Sequence, residues 1–418
     1  MSAHKFPNFA DSSYFNIWSP EGRVVVSEIL NNPEMINVMN FAAWRQDFII
    51  DPETTKHDSN GFATVTAVMR EVEPAVMSDM RSPLGDSLPI EQGNEKAYTI
   101  PIAHFTTHHF HEKKTTMMDK KERYEAFRNA YDYTEYDGKL LFGYAEKLQD
   151  FIDGMNQTLT YMGEQLMTNG YVYYDRGAGI IAGIHQAPIP TKNFLNACMF
   201  KMSGSSEVQT TWADTDALFI DSINRLIEQI NTKLGKNWKW QLDITKTMWD
   251  NYIKKNKQVL TTMYMRANPN ILSVDQMNFA SAGYTFEDAD IMAMLNSRLK
   301  NCTIFVHDTA QFDAIDGVVR GWKSGVATLR PLGRAGMIRH TDIIDAEWFD
   351  DKYSNPAIKD FYVPALGGLG YFNNTIWPDG RDLEYRTRYI YSTTPSLDEF
   401  LYHFIMTTTS ASSDGNWY

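Results

Sequence analysis

The alternation of apolar and polar positions changes period several times along the chain. Its clearest stretch is KLLFGYAEKLQDFIDGMNQTLTYMGEQLMTNG, beginning at Lys139. Leu141, Leu148, Met155 and Met162 recur every seven residues, with Tyr144, Phe151, Leu159 and Leu166 on or near the same face. That period predicts an amphipathic helix of about 28 residues, about 40 Å long at 1.5 Å per residue. Asn169-Gly170 supplies its stop. Gly143, Gly154 and Gly163 weaken a free-standing coiled coil, so the helix is expected to lie across a sheet or another domain. Just before it, YDYTEYDG, ending at Gly138, is expected to break the helical pattern or form an irregular turn.

Other stretches alternate with period two. FATVTAVMREVEPAV, set among turn-rich polar pieces, predicts a strand of a long two-stranded excursion over 51–98. TIPIAHFTTHHFHE, from Thr99 to Glu112, predicts a further strand. Met118–Asn129 reads as helix, as do one or two short segments after Pro20. Beyond YVYY, a strand at 171–174, a second domain is expected from near Phe194. There TWADTDALFIDSINRLIEQINTKLG predicts a helix starting near Asp214 or Thr215 and ending at Gly235, with Leu218, Ile223, Leu226, Ile227 and Ile230 on its apolar face. KWQLDIT and CTIFVHD predict strands, KTMWDNYIKKN a helix, and VLTTMYM a strand or apolar turn. The segment around EDADIMAMLNSRL reads as mostly helical, and VATLRPLGRAGMI and DIIDAEWF as strands or loops. From Asn355 to Leu383 Gly, Pro, Asn and Asp dominate and no element is predicted; LEYRTRYIYSTT and DEFLYHFIMTTT close the chain as strands. SASSDGNWY is expected to fray unless Trp417-Tyr418 finds a groove. The mixture is α and β with no fixed repeat.

Composition narrows the function classes. A chain of 418 residues with 43% hydrophobic residues suffices for two or three domains. A formal net charge of -13 argues against a protein that wraps nucleic acid tightly, since each phosphate contact needs a Lys or Arg. Two cysteines, Cys198 and Cys302, provide neither a disulfide framework nor a zinc set and fit a reducing cytoplasm. No run of 18 apolar residues occurs, so no transmembrane helix is expected, and the amino end lacks a signal-peptide pattern. The glycosylation triplets at Asn156, Asn301 and Asn373 are read as chance matches.

Candidate chemistry is sparse. His104, His108, His109 and His111 fall within eight residues, followed by Glu112. On a strand His109 and His111 share one face and His104 and His108 the other. A metal site could use such a pair with a distant carboxylate. No partner motif completes it, so the histidines are read as a strand and junction, with a pH-sensitive contact at His109 and His111 left open. GAGIIAG at 177–183 lacks the GxGxxG spacing, and no P-loop or GxSxG elbow is present. The acidic runs EDAD at 287–290 and IDAEWFDD at 344–351 read as solvated surface. Arg320, Lys323, Arg330, Arg334 and Arg339 are expected to meet acidic residues of a neighbouring chain, or packaged nucleic acid. No catalytic, cofactor-binding or metal-ligating set is expected, and no cofactor.

Three stretches together resemble the major capsid proteins of tailed bacteriophages, in the branch related to the lambda major head protein. YAEKLQDFIDGMNQTLTYMGEQLMTNGYVYYD resembles the family's spine helix and the glycine turn before a strand. The run from Trp212 through Asp214 and Gly235 to Trp249 resembles the Trp-x-Asp, helix, turn, strand and helix of the capsomer domain. CTIFVHDTAQFDAIDGVVRGWKSGVATLRPLGRAGMIRHT resembles the strands that return through it, with Asp316-Gly317 as the turn and Gly333 to Gly336 as the next loop. The resemblance covers roughly residues 50–345, and 355–383 has no counterpart in it. It implies an α+β, HK97-like capsid fold: an N-terminal arm (1–50), an extended loop (51–98), a peripheral domain with the spine helix (99–193), an axial domain (194–345) and a returning C-terminal segment (346–418). It further implies a non-enzymatic virion protein that forms hexamers and pentamers of an icosahedral shell in the host cytoplasm. Separate scaffolding, portal and decoration proteins and non-specifically packaged double-stranded DNA would be its partners, with no membrane. Two rivals remain: a metal-dependent or aromatic-cleft hydrolase, and another virion part such as a tail or decoration protein.

Overall fold

The computed structural model describes residues 47–53, 55–56, 63–70, 95–106, 110–113, 133–172, 185–267, 286–308, 310–313, 317–341, 359–365, 370–379, 382–411 and 417. The helices expected after Pro20 and over Met118–Asn129, the stretches GAGIIAG and IDAEWFDD, and His108 and His109 lie outside the described residues. In chain order the strands are β1 (Phe48–Ile50), β2 (Thr64–Arg70), β3 (Glu95–Pro101), β4 (His104–Thr106), β5 (Phe110–Lys113), β6 (Tyr171–Val172), β7 (His185–Gln186), β8 (Phe194–Leu195), β9 (Met199–Ser203), β10 (Ser206–Thr210), β11 (Trp240–Thr245), β12 (Cys302–His307), β13 (Gln311–Asp313), β14 (Gly317–Val319), β15 (Val326–Pro331), β16 (Gly336–His340), β17 (Lys359–Ala365), β18 (Gly370–Asp379), β19 (Asp382–Leu397) and β20 (Phe404–Thr407). The helices are α1 (Tyr133–Asn169), α2 (Phe219–Leu234), α3 (Lys246–Met248, continued by a π-helical turn over Trp249–Ile253), α4 (Lys257–Ala267) and α5 (Asp288–Arg298). The chain folds as two compact units of interleaved segments: Met1–Val65, Pro101–Thr160 and Ile338–Pro395 form one, and Thr66–Ile100, Tyr161–Met337 and Ser396–Tyr418 the other.

The first unit is built on a sheet of order β1-β16-β19-β18-β17, with β4 and β5 also paired to β19. The stretch with no predicted element is the surprise. β17 pairs antiparallel with β18 from Lys359↔Ile376 to Ala365↔Gly370, and β18 with β19 from Gly370↔Tyr391 to Asp379↔Asp382. The first ladder ends at Ala365 and Gly370 and the second at Asp379 and Asp382, while FYV, YF and IW lie in the strands. Averaging over the whole segment hid two strands behind their turn residues.

β19 is sixteen residues long, and its Ser392, Thr393 and Thr394 are fully buried. The Thr394 side chain and the Thr393 backbone are both met by Ala103. Thr394 Oγ1 accepts from the Ala103 N–H at 2.9 Å, and the Thr393 N–H donates to Ala103 O at 3.1 Å. Arg339 pairs with Asp51, and the His340 ring meets Asp51 O at 2.9 Å.

α1 is longer than the period predicted. It runs for 37 residues from Tyr133, so YDYTEYDG does not break it. The two glycines at its start cost about 1 kcal/mol each relative to alanine, too little to stop a helix once nucleated. Within the described side chains the predicted face is the buried one: Phe151, Met155, Leu159, Met162 and Leu166 are all buried. Gly170 ends it, its N–H donating to Leu166 O at 2.9 Å.

The second unit is built on a sheet of order β12-β11-β15-β20-β8, in which β11 runs parallel to β12 and antiparallel to β15. β11 is internal, and Trp240, Leu242 and Ile244 are fully buried on one of its faces. α2 buries Phe219, Ile223, Leu226, Ile227, Ile230 and Leu234, the helical spacing that the sequence displays. Gly235, left-handed at φ 63°, caps it by donating to Asn231 O and Thr232 O.

The start of α2 lies later than predicted, at Phe219. Asp214 is held elsewhere: its carboxylate accepts from Lys201 Nζ at 2.7 Å, Thr210 Oγ1 at 2.8 Å and the Asp216 N–H at 2.9 Å. Lys201 leads the causes that lower its pKa to about 2. The first turn of α2 is instead served by a distant residue. Gln258 Oε1 accepts the Ile220 N–H at 2.8 Å, and Gln258 Nε2 donates to Asp221 at 2.7 Å. Gln258 belongs to α4, which contains the predicted strand VLTTMYM. That segment is helical and buries Val259 and Met263, four residues apart, with Tyr264. β propensity of Val, Thr and Tyr is a weak preference, and packing of α4 against α2 and α5 overrides it.

Candidate assembly surface

The most concentrated polar chemistry of the second unit is closed. Asp243, on the face of β11 opposite Trp240 and Leu242, is completely buried. Its carboxylate accepts from Arg330 Nε at 2.7 Å and Gln241 Nε2 at 2.7 Å, and meets His307 Nε2 at 3.2 Å. Burial alone would raise its pKa; the charge of Arg330 and the His307 contact outweigh that and hold it well below the usual carboxylate range. Arg330 also donates to Gly333 O. The His307 ring stacks on Trp322, centroids 4.4 Å apart. Asp, His and Arg in contact resemble catalytic machinery, but Arg330 is 2% exposed and His307 5%. A substrate has no room beside groups whose valences are already met, so the cluster clamps β11, β12 and β15 together. Nothing in WQLDIT marks Asp243 beyond its being an acid between two apolar residues.

The end of α1 is docked by similar polar contacts inside this unit. Glu164, buried, accepts the Trp322 N–H at 3.1 Å and Gln311 Nε2 at 3.3 Å. The Lys323 N–H donates to Thr168 Oγ1 at 3.3 Å. His403 Nε2 lies 2.6 Å from Met167 O, in a place where burial lowers the imidazole pKa to about 4. Burial does the same to His185, which stacks on Tyr98 at 6.1 Å. Both rings fold neutral while the unfolded chain protonates near 6.5. Their stabilisation is therefore fully present above about pH 6.5 and is lost as pH falls toward about 4, at about 3 kcal/mol for each ring. Urea midpoints at pH 7 and pH 5 should differ markedly, and His403→Asn should lose a clear part of that difference. Equal pH sensitivity in the two proteins would refute the assignment.

The residues singled out in the sequence are mostly absorbed by the fold. His104 begins β4, its Nδ1 2.6 Å from Ser392 Oγ. His111 and Glu112 lie in β5, opposite Arg386 and Tyr385 of β19. The strand reading holds for both segments. EDAD forms the start of α5, where acidic side chains favour the helix dipole, and Asp288 pairs with Lys246 at 2.8 Å and with Lys254.

The expected outward role needs correction for three of the five basic residues. Arg330 serves Asp243, Arg334 pairs with Asp398 at 3.0 Å and Arg339 with Asp51, all within their own units. Strand position placed Arg330 and Arg339 beside carboxylates far away in sequence, and the turn between β15 and β16 did the same for Arg334. Cys198 and Cys302 are buried and outside any disulfide, and burial pushes the Cys302 thiol up to about 12. Asn156 is buried in α1. Asn301 takes the left-handed turn before β12, its amide 2.6 Å from Asn237 Oδ1, and Asn373 pairs within β18.

Part of what remains available to a partner lies on ribbons. Besides the two larger sheets, the described residues form four two-stranded ladders: β2-β3, β6-β7, β9-β10 and β13-β14. Each leaves backbone edges without a further strand among the described residues, and each carries an exposed large apolar side chain. These are Val68 (61% exposed), Tyr171, Met202 with Val208, and Val318 (70% exposed). Sequence patterning found the first ribbon, and the glycine at 317 marked the last; it gave no sign of the exposed apolar pattern. β3 is seated at its base by Tyr98, whose hydroxyl donates to Leu397 O at 3.3 Å and whose ring meets Phe400 edge-on at 5.2 Å. Toward its far end Arg70 Nε bonds Glu95 at 2.9 Å across the ladder. A two-stranded ribbon is marginal by itself in water. Open edges with apolar residues are what a second chain can cover. No helix among the described residues is long and apolar enough to cross a membrane.

No protein-family model matches the chain, and no curated protein matches it. Among solved structures, the chain is similar to a candidate capsid protein of a prophage of E. coli CFT073. The TM-score is 0.50 and the identity 13%, over 93% of this chain and 99% of that one. It also aligns with the capsid asymmetric unit of cyanophage A-1(L), at TM-score 0.40 and 11% identity over 88% and 91% of the two chains. The capsid of Ralstonia phage GP4 aligns at TM-score 0.37 and 10% identity over 89% and 92%. The likeness to the prophage protein is one of fold: a mixed α+β, capsid-like fold over nearly the whole of both chains.

Proposed function

We propose that this chain is a structural subunit of a virus shell, the major capsid protein of a tailed bacteriophage. The observation that carries this reading is the fold shared with the prophage protein over almost the full length of each chain. The open-edged ribbons with exposed apolar residues support it, because they suit repeated contact between copies better than solitary life. In the finer reading, the fold is HK97-like and of the lambda-related branch, with α1 as the spine helix. Residues 1–50 are then the arm, 51–98 the extended loop, 99–193 the peripheral domain, 194–345 the axial domain and 346–418 the returning segment.

Function here is assembly rather than turnover. Hexamers and pentamers would close an icosahedral head around double-stranded DNA, with separate scaffolding, portal and decoration proteins as partners. A net charge of -13 suits a wall that encloses DNA without gripping it. Electron microscopy of the purified chain, alone and with the scaffolding protein from the same genome, tests this. Closed shells or capsomer rings are expected; monomers under every condition overturn it.

A further inference from the structure

Trp417 is seated, not frayed. It is 7% exposed. Its indole N–H donates to Gln209 Oε1 at 3.1 Å and its backbone N–H to Gln229 Oε1 at 3.2 Å. The ring lies 6.2 Å from that of Phe200. The Arg225 guanidinium spans both, 4.6 Å above Phe200 and 5.8 Å from Trp417. Glu207 fixes that guanidinium through two bonds of 2.9 and 3.2 Å. The seat is therefore a built groove: β9 and β10 supply one wall, and Arg225 and Gln229, one turn apart on α2, supply the other. It combines an aromatic wall, a cation for the π face and two amide acceptors for N–H groups, which is selective for tryptophan in an extended segment.

The residues between Ala411 and Trp417 read Ser-Ser-Asp-Gly-Asn. They hold no apolar side chain, so Trp417 is the anchor of its segment. All five groove residues belong to β9, β10 and α2, so nothing in the seat depends on which copy supplies the tryptophan. A tethered segment meets its seat at an effective concentration on the order of millimolar. Packed neighbours in a shell present the same segment at a comparable level; this step rests on the shell reading above.

We propose that the groove of Phe200, Gln209, Arg225 and Gln229 is a docking site for the Trp417 segment of a second copy of this chain. The intrachain seat is the free subunit's form of the same contact, and assembly exchanges it between neighbours.

The test uses unassembled full-length subunits, so its outcome does not depend on shell formation. A fluorescein-labelled peptide of residues 409–418 is titrated into Trp417→Ala, whose groove is empty, and followed by anisotropy. Saturable binding is expected, at least tenfold tighter than to the wild-type chain, whose groove is filled. A peptide with the tryptophan replaced by alanine should not bind, and Trp417→Ala combined with Arg225→Ala should lose at least tenfold. No binding, or equal binding to both receptors, overturns the groove. Circular dichroism checks that the receptor is folded, and Trp417→Phe replaces it if it is not, under the same threshold. The second-copy claim has its own arm. Trp417→Ala supplies a groove without an anchor and Arg225→Ala an anchor without a groove. The mixture should associate and neither variant alone should. Peptide binding without association in the mixture confines the contact to one chain and overturns the exchange.

Discussion

Replacing Arg330 with alanine is expected to destabilise the chain by about 3–5 kcal/mol, since it strands a buried carboxylate. Asp243 has no solvent to turn to, and Arg330 is the closest full charge to it. Gln241 and Thr328 can donate hydrogen bonds but no charge. Lysine is not an adequate substitute, because the guanidinium bonds Asp243 through Nε while Nη1 serves Gly333 O. Removing both charges, as in Asp243→Leu with Arg330→Met, should recover much of the loss, since an apolar pair carries no desolvation penalty. The pH dependence gives a second reading. In Arg330→Ala the site is relieved by taking up a proton, on Asp243 or on His307 beside it. The gap between variant and wild type should therefore narrow as pH falls. A loss below about 1 kcal/mol in urea unfolding, the level of an exposed ion pair, would sink the reading of this cluster as the clamp of the sheet.

Gly336→Ala is expected to cost about 3 kcal/mol, at the upper end of overpacking penalties. The added methyl would overlap the carbonyl of Ser396 and press on the Leu397 Cα, 3.0 Å away. The obstacle is backbone, so no rotamer change relieves it. Both segments are also tied there, by Asp398 N–H to Ala335 O at 3.1 Å and Ser396 Oγ to Met337 O at 3.2 Å. Gly336 does not lie in the left-handed region, so its backbone conformation would accept alanine and the penalty is steric alone. A lowered urea midpoint with faster proteolysis is the expected result; an unchanged midpoint would mean that the two segments can separate at little cost.

Local chemistry wrote part of this protein into its sequence. The buried face of α1, the α2 stripe from Ile223 to Ile230, the stop at Gly235 and the strands of KWQLDIT and CTIFVHD were readable because each depends on spacing along one element. His104 and His111 could likewise be recognised as strand material, since each falls in a stretch that alternates with period two. Several outcomes were decided only when distant segments met. α2 starts at Phe219 because Gln258, 38 residues on, serves its first turn. VLTTMYM is helical because α2 and α5 offer it a surface. Asn355–Leu383 looked structureless because its strands become stable only by pairing, β17 with β18 and β18 with β19.

The functional features divide the same way. The stretch 51–98, expected to be an excursion, suggested a shell subunit through its polar, turn-rich composition alone. The exposed apolar residues on the four ribbons, the closed Asp243–Arg330 clamp and the seat of Trp417 were not visible in the sequence. The clamp and the seat depend on which groups meet across 87, 188 or 208 positions. Periodicity reports the faces of an element; only the folded chain determines what each face meets.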